Sequence, residues 1–214
     1  MNKGKNALIL LDGEKPARNL LQCFWETADL HVCADGAAAV CVEYLLQPEV
    51  ILGDLDSLDA DTRNHFRVSK IIKMADQETT DGEKAIQYCI HKDYQVIHIF
   101  GALGKRVDHT LYNLGLLTKF RHQVAEMTII SDDETVSLIT GKKTFAASAG
   151  TRISLLPVFG KVENVTIKGL AYPLRETTLE LGHYSSISNR FTGDSATVSI
   201  SSGQLLVVIE RRED

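Results

Sequence analysis

The sequence predicts an α/β fold in which a mostly parallel sheet flanked by helices is followed by an antiparallel β-sandwich domain. As far as Ile130, short apolar runs alternate with helical patterns, which is typical of a parallel sheet covered by helices. After about Thr135, short strand-like runs follow one another between glycine and proline turns, and no long helical period is present. We place the boundary near residues 141–150, which gives an α/β domain over residues 1–140 and a β domain over residues 141–214.

The predicted strands of the α/β domain are short apolar runs at residues 6–11, 30–33, 50–52, 70–72, 95–100 and 127–130. Helices are predicted between them, where apolar residues recur at helical spacing. The first begins near Pro16, a residue suited to a first helical turn, and the second, at residues 37–46, is apolar almost all round and therefore buried. The remaining helices are expected at residues 60–66, 80–92 and 107–120. Strands of the β domain are expected at residues 135–139, 151–156, 162–167, 195–200 and 205–209.

Composition and charge narrow the class of function. The 214 residues are 44% hydrophobic and 24% charged, which is the composition of an ordinary globular protein with a sizeable core. With a formal net charge of -5 and no long basic run, neither nucleic acid nor an anionic membrane is expected as the main partner. The four cysteines are scattered without a CxxC pair, which favours free thiols in a reducing cytoplasm. The apolar run at residues 7–11 is too short for a signal peptide or a membrane span.

Acidic residues follow several of the predicted strands, where a parallel sheet carries its ligand crevice. We expect these residues and one glycine to share the rim of that crevice: Asp12, Asp35, Asp54, Asp56, Asp76 and Gly101. Clustered carboxylates are hard oxygen ligands that suit Mg²⁺, an ion that proteins usually share with substrate phosphates.

Asp54 and Asp56 form a DxD motif directly after the predicted strand at residues 50–52. An extended backbone would point both carboxylates to one side, and their mutual repulsion would favour a cation between them. The alternative is an Asx turn with Ser57, because Asp and Ser are common turn residues. The acids at neighbouring strand ends favour the metal.

Thr80 and Glu83 match a capping box at the start of the predicted helix 80–92, and this accounts for both residues. Asp81, between them, suits the positive end of the helix dipole. It also lies four residues before Ala85, on the buried side of the helix, where a carboxylate needs a partner. A metal ion shared with the DxD motif would supply one.

Gly101 and Gly104 belong to a loop between a predicted strand and a predicted helix. Backbone amides and a helix start can receive phosphate at such a loop, and the neighbouring Lys105 and Arg106 favour this interpretation. The loop is neither a P-loop nor a GxGxxG motif. The alternative is a plain strand-to-helix turn with Asp108 as the N-cap residue.

Taken together, these motifs resemble the thiamine pyrophosphokinase (thiamine diphosphokinase) family. The similar segments run in family order at residues 34–37, 53–57, 76–81, 101–108, 169–174, 188–189 and 203–208. The family transfers pyrophosphate from ATP to the hydroxyl of thiamine, giving thiamine diphosphate and AMP. The resemblance implies Mg²⁺ as cofactor, ATP as co-substrate, thiamine as substrate and a homodimer. It gives nucleotide and metal binding to the α/β domain, and thiamine binding and dimerisation to the β-sandwich.

The resemblance also implies roles for individual residues. Asp54, Asp56 and Asp81 would be catalytic and, with Asp35, would hold the metal. Contacts with the nucleotide or its phosphates would come from Gln77, Thr80, Gly101, Gly104, Lys105, Arg106 and Asp108. Thiamine would be bound by Ser186, Ser188 and Asn189, in a polar segment that by itself favours a solvated turn.

Two other functions are compatible with parts of the sequence. The strand–DxD–Ser pattern resembles the nucleophile motif of aspartyl-phosphate phosphatases, although it leaves residues 34–37, the start of helix 80–92 and the β domain unexplained. A non-catalytic thiamine or nucleotide sensor would bind its ligand and release no AMP.

Overall fold

A computed structural model describes residues 4–56, 58, 60–74, 76 and 78–212 of the chain. The chain divides into two compact units between Asp132 and Asp133. The sequence placed this boundary later, after residue 140. The difference arises because residues 134–139 form a strand that pairs with the last strand of the chain and so belong to the C-terminal unit.

The N-terminal unit is built on a parallel sheet. Its described part contains the strands β1 (Asn6–Leu10), β2 (Leu30–Ala34), β3 (Val50–Gly53), β4 (Lys70–Lys73), β5 (Val96–Phe100) and β6 (Glu126–Ile130). Their spatial order is β6-β5-β1-β2-β3-β4, and every neighbouring pair is parallel. The central strands β1, β2 and β3 are mostly apolar and buried over almost their whole length, because both faces of such a sheet are covered.

Helices connect these strands at the bounds α1 (Arg18–Trp25), α2 (Ala38–Tyr44), α3 (Ala60–His65), α4 (Asp81–His91) and α5 (Val107–Lys119). α1 begins two residues after Pro16, and its N-cap is Ala17. α2 begins later than predicted because a 3₁₀ turn, Asp35–Ala37, precedes it. None of the helices in the described part of the chain has the length and apolar character that crossing a membrane requires.

The order of the strands changes direction at β1. β2, β3 and β4 follow on one side of β1, whereas β5 and β6 lie on the other. In an open α/β sheet, the loops after the two strands at such a reversal leave in opposite directions and open a crevice at the carboxyl ends of the strands. A ligand site is therefore expected beyond the ends of β1 and β5.

The C-terminal unit consists of antiparallel strands in two sheets. The strands are β7 (Glu134–Ile139), β8 (Lys142–Ala146), β9 (Arg152–Leu156), β10 (Val162–Lys168), β11 (Leu174–Leu179), β12 (Ser186–Arg190), β13 (Ser195–Ser199) and β14 (Leu205–Glu210). In this unit the orders are β12-β9-β14-β7 and β11-β10-β13-β8. Alternate side chains of both sheets, among them Ile153, Val207, Val165 and Val198, share one buried core. The predicted fold class, a parallel α/β part followed by a β-sandwich, is confirmed.

Three strands of the sandwich are missing from the sequence-based prediction. β8, β11 and β12 lie at sheet edges, and their sequences are rich in polar and charged residues. Edge strands are expected to be polar because one side of the ladder faces solvent. They therefore lack the apolar run that identifies a central strand, and the solvated-turn interpretation of residues 185–189 is wrong for β12.

Candidate functional site

A cavity of about 500 Å³ lies at the carboxyl ends of the N-terminal strands, at the reversal beside β1. Loops that follow β1, β2, β3, β4 and β5 all contribute to it. Among its lining residues are most of the predicted rim and phosphate loop: Asp12, Asp35, Asp54, Asp76, Thr80, Asp81, Gly101, Gly104, Lys105 and Arg106. Asp56 and Asp108 do not line it, and Gln77 lies outside the described residues.

Two glycines allow the loops after β1 and β5 to touch. The amide of Gly13 donates to the carbonyl of Gly101 at 2.7 Å, and Gly101 has a φ of +65°. A Cβ on Gly13 would lie 2.1 Å from the Gly101 carbonyl oxygen, and a Cβ on Gly101 would lie 2.0 Å from the carbonyl oxygen of Leu11. This part of the cavity wall thus requires residues without a side chain.

Asp35 is a buried carboxylate that organises the neighbouring loop. It is 4% exposed, and its two oxygens accept the backbone N–H groups of Gly36 at 2.8 Å and Leu55 at 2.7 Å. Burial raises the pKa of Asp35, and the charges of Asp81 and Asp54 act in the same direction, whereas the two N–H donors oppose them. Because backbone donors already engage both oxygens, Asp35 is better suited to positioning the loop after β3 than to direct coordination.

The DxD motif does not adopt the extended form that would point both carboxylates the same way. Leu55 has a φ of +67°, and the N–H of Asp56 donates to Oδ1 of Asp54 at 3.0 Å. This is an Asx turn within the motif, so the premise of two parallel carboxylates is wrong. The guanidinium of Arg63 holds the turn by donating to the carbonyls of Leu55 and Leu58 at 3.2 and 3.3 Å. Asp54 faces the cavity from this turn.

At the start of α4, Thr80 is the N-cap residue and its hydroxyl accepts the N–H of Glu83 at 3.3 Å. Asp81 lines the cavity, with its side chain 40% exposed, so it is less buried than its helical position suggested. Its Oδ1 lies 3.4 Å from Nζ of Lys84, which is on the same face of the helix three residues later.

Glu83 does not complete the predicted capping box. Its carboxylate is 2% exposed and accepts hydrogen bonds from Lys119, from the Tyr112 hydroxyl at 2.7 Å and from Gln87 at 3.1 Å. Burial raises the pKa of Glu83, but the bonds from Lys119 and Tyr112 outweigh it and leave the pKa below its usual value. Glu83 therefore joins α4 to α5 rather than capping α4.

The loop after β5 is held by ion pairs. Gly104 and Lys105 have positive φ values of 77° and 51°, and Nζ of Lys105 lies 2.7 Å from Oδ1 of Asp12. Arg106, rather than Asp108, is the N-cap residue of α5, and it has no side-chain cap. Asp108 lies one residue inside the helix and pairs with Arg106, whose hydrogen bond lowers the pKa of that carboxyl. The alternative interpretation, in which Asp108 is the N-cap residue, is therefore wrong in that respect.

The carboxylates of the cavity are chemically compatible with Mg²⁺. No three of the described His, Cys, Asp and Glu side chains converge as a ready-made metal site. Mg²⁺, however, is commonly held by one or two carboxylates together with substrate phosphates and water. Asp54 and Asp81 can provide these two carboxylates, because both face the cavity from neighbouring loops.

The predicted thiamine-binding residues lie on β12 of the C-terminal unit. Asn189 is 1% exposed, and its Oδ1 accepts the N–H groups of Tyr172 and Arg190, each at 2.9 Å. Its Nδ2 donates to the Tyr172 carbonyl at 2.8 Å and to Ser186 Oγ at 3.2 Å. Ser188 is exposed and has a φ of +56°. Ser188 is thus the member of this group that faces solvent, whereas Asn189 tethers the Tyr172 backbone.

Three residues of the site were not identified from the sequence. Gly13 acts through a backbone contact with Gly101, which is distant in sequence, and Arg63 donates to backbone carbonyls five and eight residues earlier. Neither contact has a recognisable sequence pattern. Lys84 did have a sequence signal, because its spacing of three residues from Asp81 puts both residues on one face of a helix.

Comparisons with known proteins agree with these features. The model of the thiamin pyrophosphokinase catalytic domain matches residues 21–129, and that of the thiamin pyrophosphokinase vitamin B1 binding domain matches residues 132–205. Thiamine pyrophosphokinase 2 of Oryza sativa subsp. japonica is 30% identical over 238 residues, which cover 97% of this chain and 87% of that protein. Thiamin pyrophosphokinase 1 of Caenorhabditis elegans is 28% identical over 218 residues, covering 94% and 88%.

Superposition on solved structures indicates the same family. The crystal structure of thiamin pyrophosphokinase from Geobacillus thermodenitrificans superposes with a TM-score of 0.84 at 26% identity, covering 98% of this chain and 99% of that one. The resemblance indicated by the motifs is thereby confirmed: this chain belongs to the thiamin pyrophosphokinase family.

Proposed function

We propose that this protein is an ATP:thiamine pyrophosphotransferase, a thiamine diphosphokinase that converts thiamine and ATP into thiamine diphosphate and AMP. The observation that carries the proposal is the cavity at the reversal beside β1, which Asp54 and Asp81 line together with the glycine loop after β5. Carboxylates suited to Mg²⁺ and a glycine loop suited to phosphate, lining one cavity, are what a reaction on a triphosphate requires.

In the proposed reaction, the hydroxyl oxygen of thiamine attacks the β-phosphorus of ATP. A bond forms between these two atoms, and the bond from the β-phosphorus to the oxygen of AMP breaks in line with it. AMP leaves with the electron pair, and the hydroxyl proton passes to a base, for which Asp54 and Asp56 are the candidates. Such chemistry depends mainly on positioning and charge stabilisation rather than on covalent help from the protein.

We propose Mg²⁺ as the cofactor, held by Asp54 and Asp81, with Asp56 and Asp35 as the further candidates from the sequence. Bound there, the ion would neutralise charge on the phosphate chain. The loop residues Gly101, Gly104, Lys105 and Arg106 would bind phosphate oxygens through backbone amides and cationic side chains. Thr80, Gln77 and Asp108 complete the proposed nucleotide-contacting set.

For thiamine, we propose the β12 segment of Ser186, Ser188 and Asn189, and a homodimer in which the acidic cavity of one chain and β12 of its partner serve one site. The hydrogen bonds of Asn189 support an indirect role in thiamine binding, because its side-chain amide already bonds the backbone of Tyr172. We place the reaction in the cytoplasm, a proposal supported by the thiols of all four cysteines being free.

The direct test is to incubate the purified chain with ATP, Mg²⁺ and thiamine, and to identify the products by mass. AMP and thiamine diphosphate are expected in equal amounts, and only with a divalent cation. ADP with thiamine monophosphate would contradict the proposal. Ligand binding without AMP would indicate a sensor, and a trapped phospho-aspartate would indicate a phosphatase.

A further inference from the structure

Lys84 is a buried lysine in the wall of the acidic cavity. It lies on α4 one turn after Asp81, its side chain is 5% exposed, and it lines the cavity together with Asp35, Asp54 and Asp76. A buried ammonium is costly because it has left water, so its position requires negative charge nearby. The carboxylates of the cavity supply that charge. The contacts of Lys84 distinguish a role confined to balancing these carboxylates from a role in binding a ligand.

The contacts of Lys84 leave it suited to a further partner. Among the described residues, its ammonium has one hydrogen-bond partner, Oδ1 of Asp81, at 3.4 Å. This distance is long for a charge-assisted hydrogen bond, and an ammonium carries three N–H donors. A group with several oxygen atoms in the cavity would engage the donors that Asp81 does not.

The other two long cations of the cavity differ from Lys84. Lys105 pairs with Asp12 at 2.7 Å, Arg106 pairs with Asp108, and their side chains are 56% and 65% exposed. Both are therefore solvated, and each already has a close carboxylate. Of these three, Lys84 alone is buried and has, among the described residues, a single hydrogen-bond partner at a long distance. An ion contact made in a water-poor wall is stronger than one made in solvent.

We propose that Lys84 binds a non-bridging oxygen of the nucleotide's phosphate chain, an inference that rests on the proposed function of this cavity. When Asp81 turns to the metal, the ammonium exchanges the Asp81 carboxylate for the phosphate oxygen. The ammonium keeps its protons, no covalent bond changes at Lys84, and the positive charge stays beside the phosphate as AMP leaves. This gives Lys84 a phosphate-binding role in addition to the loop after β5.

A role confined to charge balance makes a different prediction. A positive charge that only offsets carboxylate repulsion opposes the binding of a second cation, so its removal would tighten the binding of Mg²⁺ alone. It would leave the affinity for a phosphate chain at saturating Mg²⁺ unchanged. A phosphate-binding role predicts instead that removal of the charge weakens the binding of the phosphate chain at saturating Mg²⁺.

The experiment compares the unmodified chain with Lys84→Met, which keeps the length of the side chain and removes its charge. Lys92→Met is the matched control, because Lys92 is an exposed lysine at the C-cap of the same helix. Calorimetry measures the binding of inorganic tripolyphosphate with saturating Mg²⁺, of adenosine, and of Mg²⁺ alone. Thermal unfolding establishes that each variant is folded, and Lys84→Gln replaces Lys84→Met if the latter is not.

We expect tripolyphosphate to bind about 10- to 100-fold more weakly to the Lys84 variant, the effect of losing a hydrogen bond to a charged group. Adenosine binding should be unchanged, and Lys92→Met should match the unmodified chain. Equal tripolyphosphate affinity in all three proteins overturns the inference. Tighter binding of Mg²⁺ to the Lys84 variant, without weaker binding of tripolyphosphate, overturns it too. Absence of tripolyphosphate binding by the unmodified chain overturns it as well. Because no thiamine is present, these outcomes are independent of the product assay, whose failure would count against the proposed function instead.

Discussion

Asp54 and Asp81 reach the same cavity from different elements, one from the turn after β3 and the other from the first turn of α4. We expect Asp54→Asn and Asp81→Asn each to lower kcat about a hundredfold or more, because the amide keeps the size of the side chain but removes the charge proposed to bind Mg²⁺. Steady-state kinetics at several Mg²⁺ concentrations would measure this. Asp61→Asn, an exposed acid at the start of α3, is the control. Near-normal turnover of Asp81→Asn at low Mg²⁺ would reduce Asp81 to a helix-start residue.

The residue types of this site were predictable from the sequence, but the local geometry was not. Acids placed after strand ends indicated the correct rim, because the ends of parallel strands meet at one edge of a sheet. Leu55, however, takes a left-handed backbone conformation, and Asp56 does not line the cavity that Asp54 lines. The bond from the Leu55 N–H to Asp35 accompanies this conformation, and a contact between residues 20 apart leaves no local pattern.

Gly53 provides a second test at this scale. A Cβ there would lie 2.4 Å from Cγ of Asp35, whose buried side chain has little room to move. We expect Gly53→Ala to lower the free energy of unfolding by about 1–3 kcal/mol through overpacking. It should also lower kcat, because Asp35 would release the turn that carries Asp54. Urea unfolding and kinetics would measure the two effects.

Gly115→Ala is the matched control for Gly53→Ala. A Cβ at Gly115 meets nothing within 4 Å, and the residue lies inside α5. Alanine there should be neutral or stabilise the protein by about 0.5–1 kcal/mol. Equal effects of the two substitutions would contradict the role that we assign to Gly53.

At the scale of elements, the buried Glu83 joins α4 to α5 through Lys119 and Tyr112. The folded-state pKa of Glu83 is below its usual value, so the stabilisation is present above the unfolded pKa near 4.5 and is lost as the pH falls through the folded value. The pKa of Lys119 is raised by Glu83, so the contact is also lost at high pH, as the pH rises through the folded-state pKa of Lys119. Maximal stabilisation lies between these limits.

We therefore expect Glu83→Gln to lower the free energy of unfolding by about 1–3 kcal/mol at pH 7, as for the loss of a hydrogen bond to a charged group. The difference from the unmodified chain should shrink as the pH is lowered below 4.5. Urea denaturation across this pH range would measure it. A difference that stays constant down to pH 3 would show that the charge of Glu83 is not involved.

Elements in the interior were predictable, whereas those at the edges were not. Strands such as β1 and β3 are apolar because helices cover both faces, and this is visible as an unbroken run of hydrophobic residues. β8, β11 and β12 pair along one side only, so their sequences resemble loops. The segment proposed to bind thiamine is one of them, and only the resemblance to the family indicated its importance.

For the whole molecule, the proposed site shared across a two-fold dimer has a consequence that can be measured. Asp54→Asn would disable the acidic cavity, and Ser188→Lys would place a positive charge on β12 that repels the cationic thiazolium of thiamine. Ser188 is chosen because it is exposed, whereas Asn189 is buried and its loss would disturb the Tyr172 backbone. In a mixed dimer, one site collects both defects and the other collects neither.

If each variant alone is inactive, activity should return when the two are mixed and allowed to exchange subunits. Random pairing makes about half of the dimers mixed, so about a quarter of all sites should be intact. Native mass spectrometry would establish exchange, and the product assay would measure the recovered activity. Exchange without recovered activity would place the complete site within one chain.

The contact between Gly13 and Gly101 also bears on how this protein can evolve. A side chain on Gly13 would collide with the Gly101 carbonyl, and one on Gly101 would collide with the carbonyl of Leu11. Every amino acid carries these carbonyl groups, so no second substitution at the facing position can make room for the first. In most pairs of packed residues, a larger side chain at one position can be compensated by a smaller one at the other. No such compensating substitution exists for this pair. Both positions should therefore stay glycine in descendants of this chain for as long as the loops after β1 and β5 keep their contact.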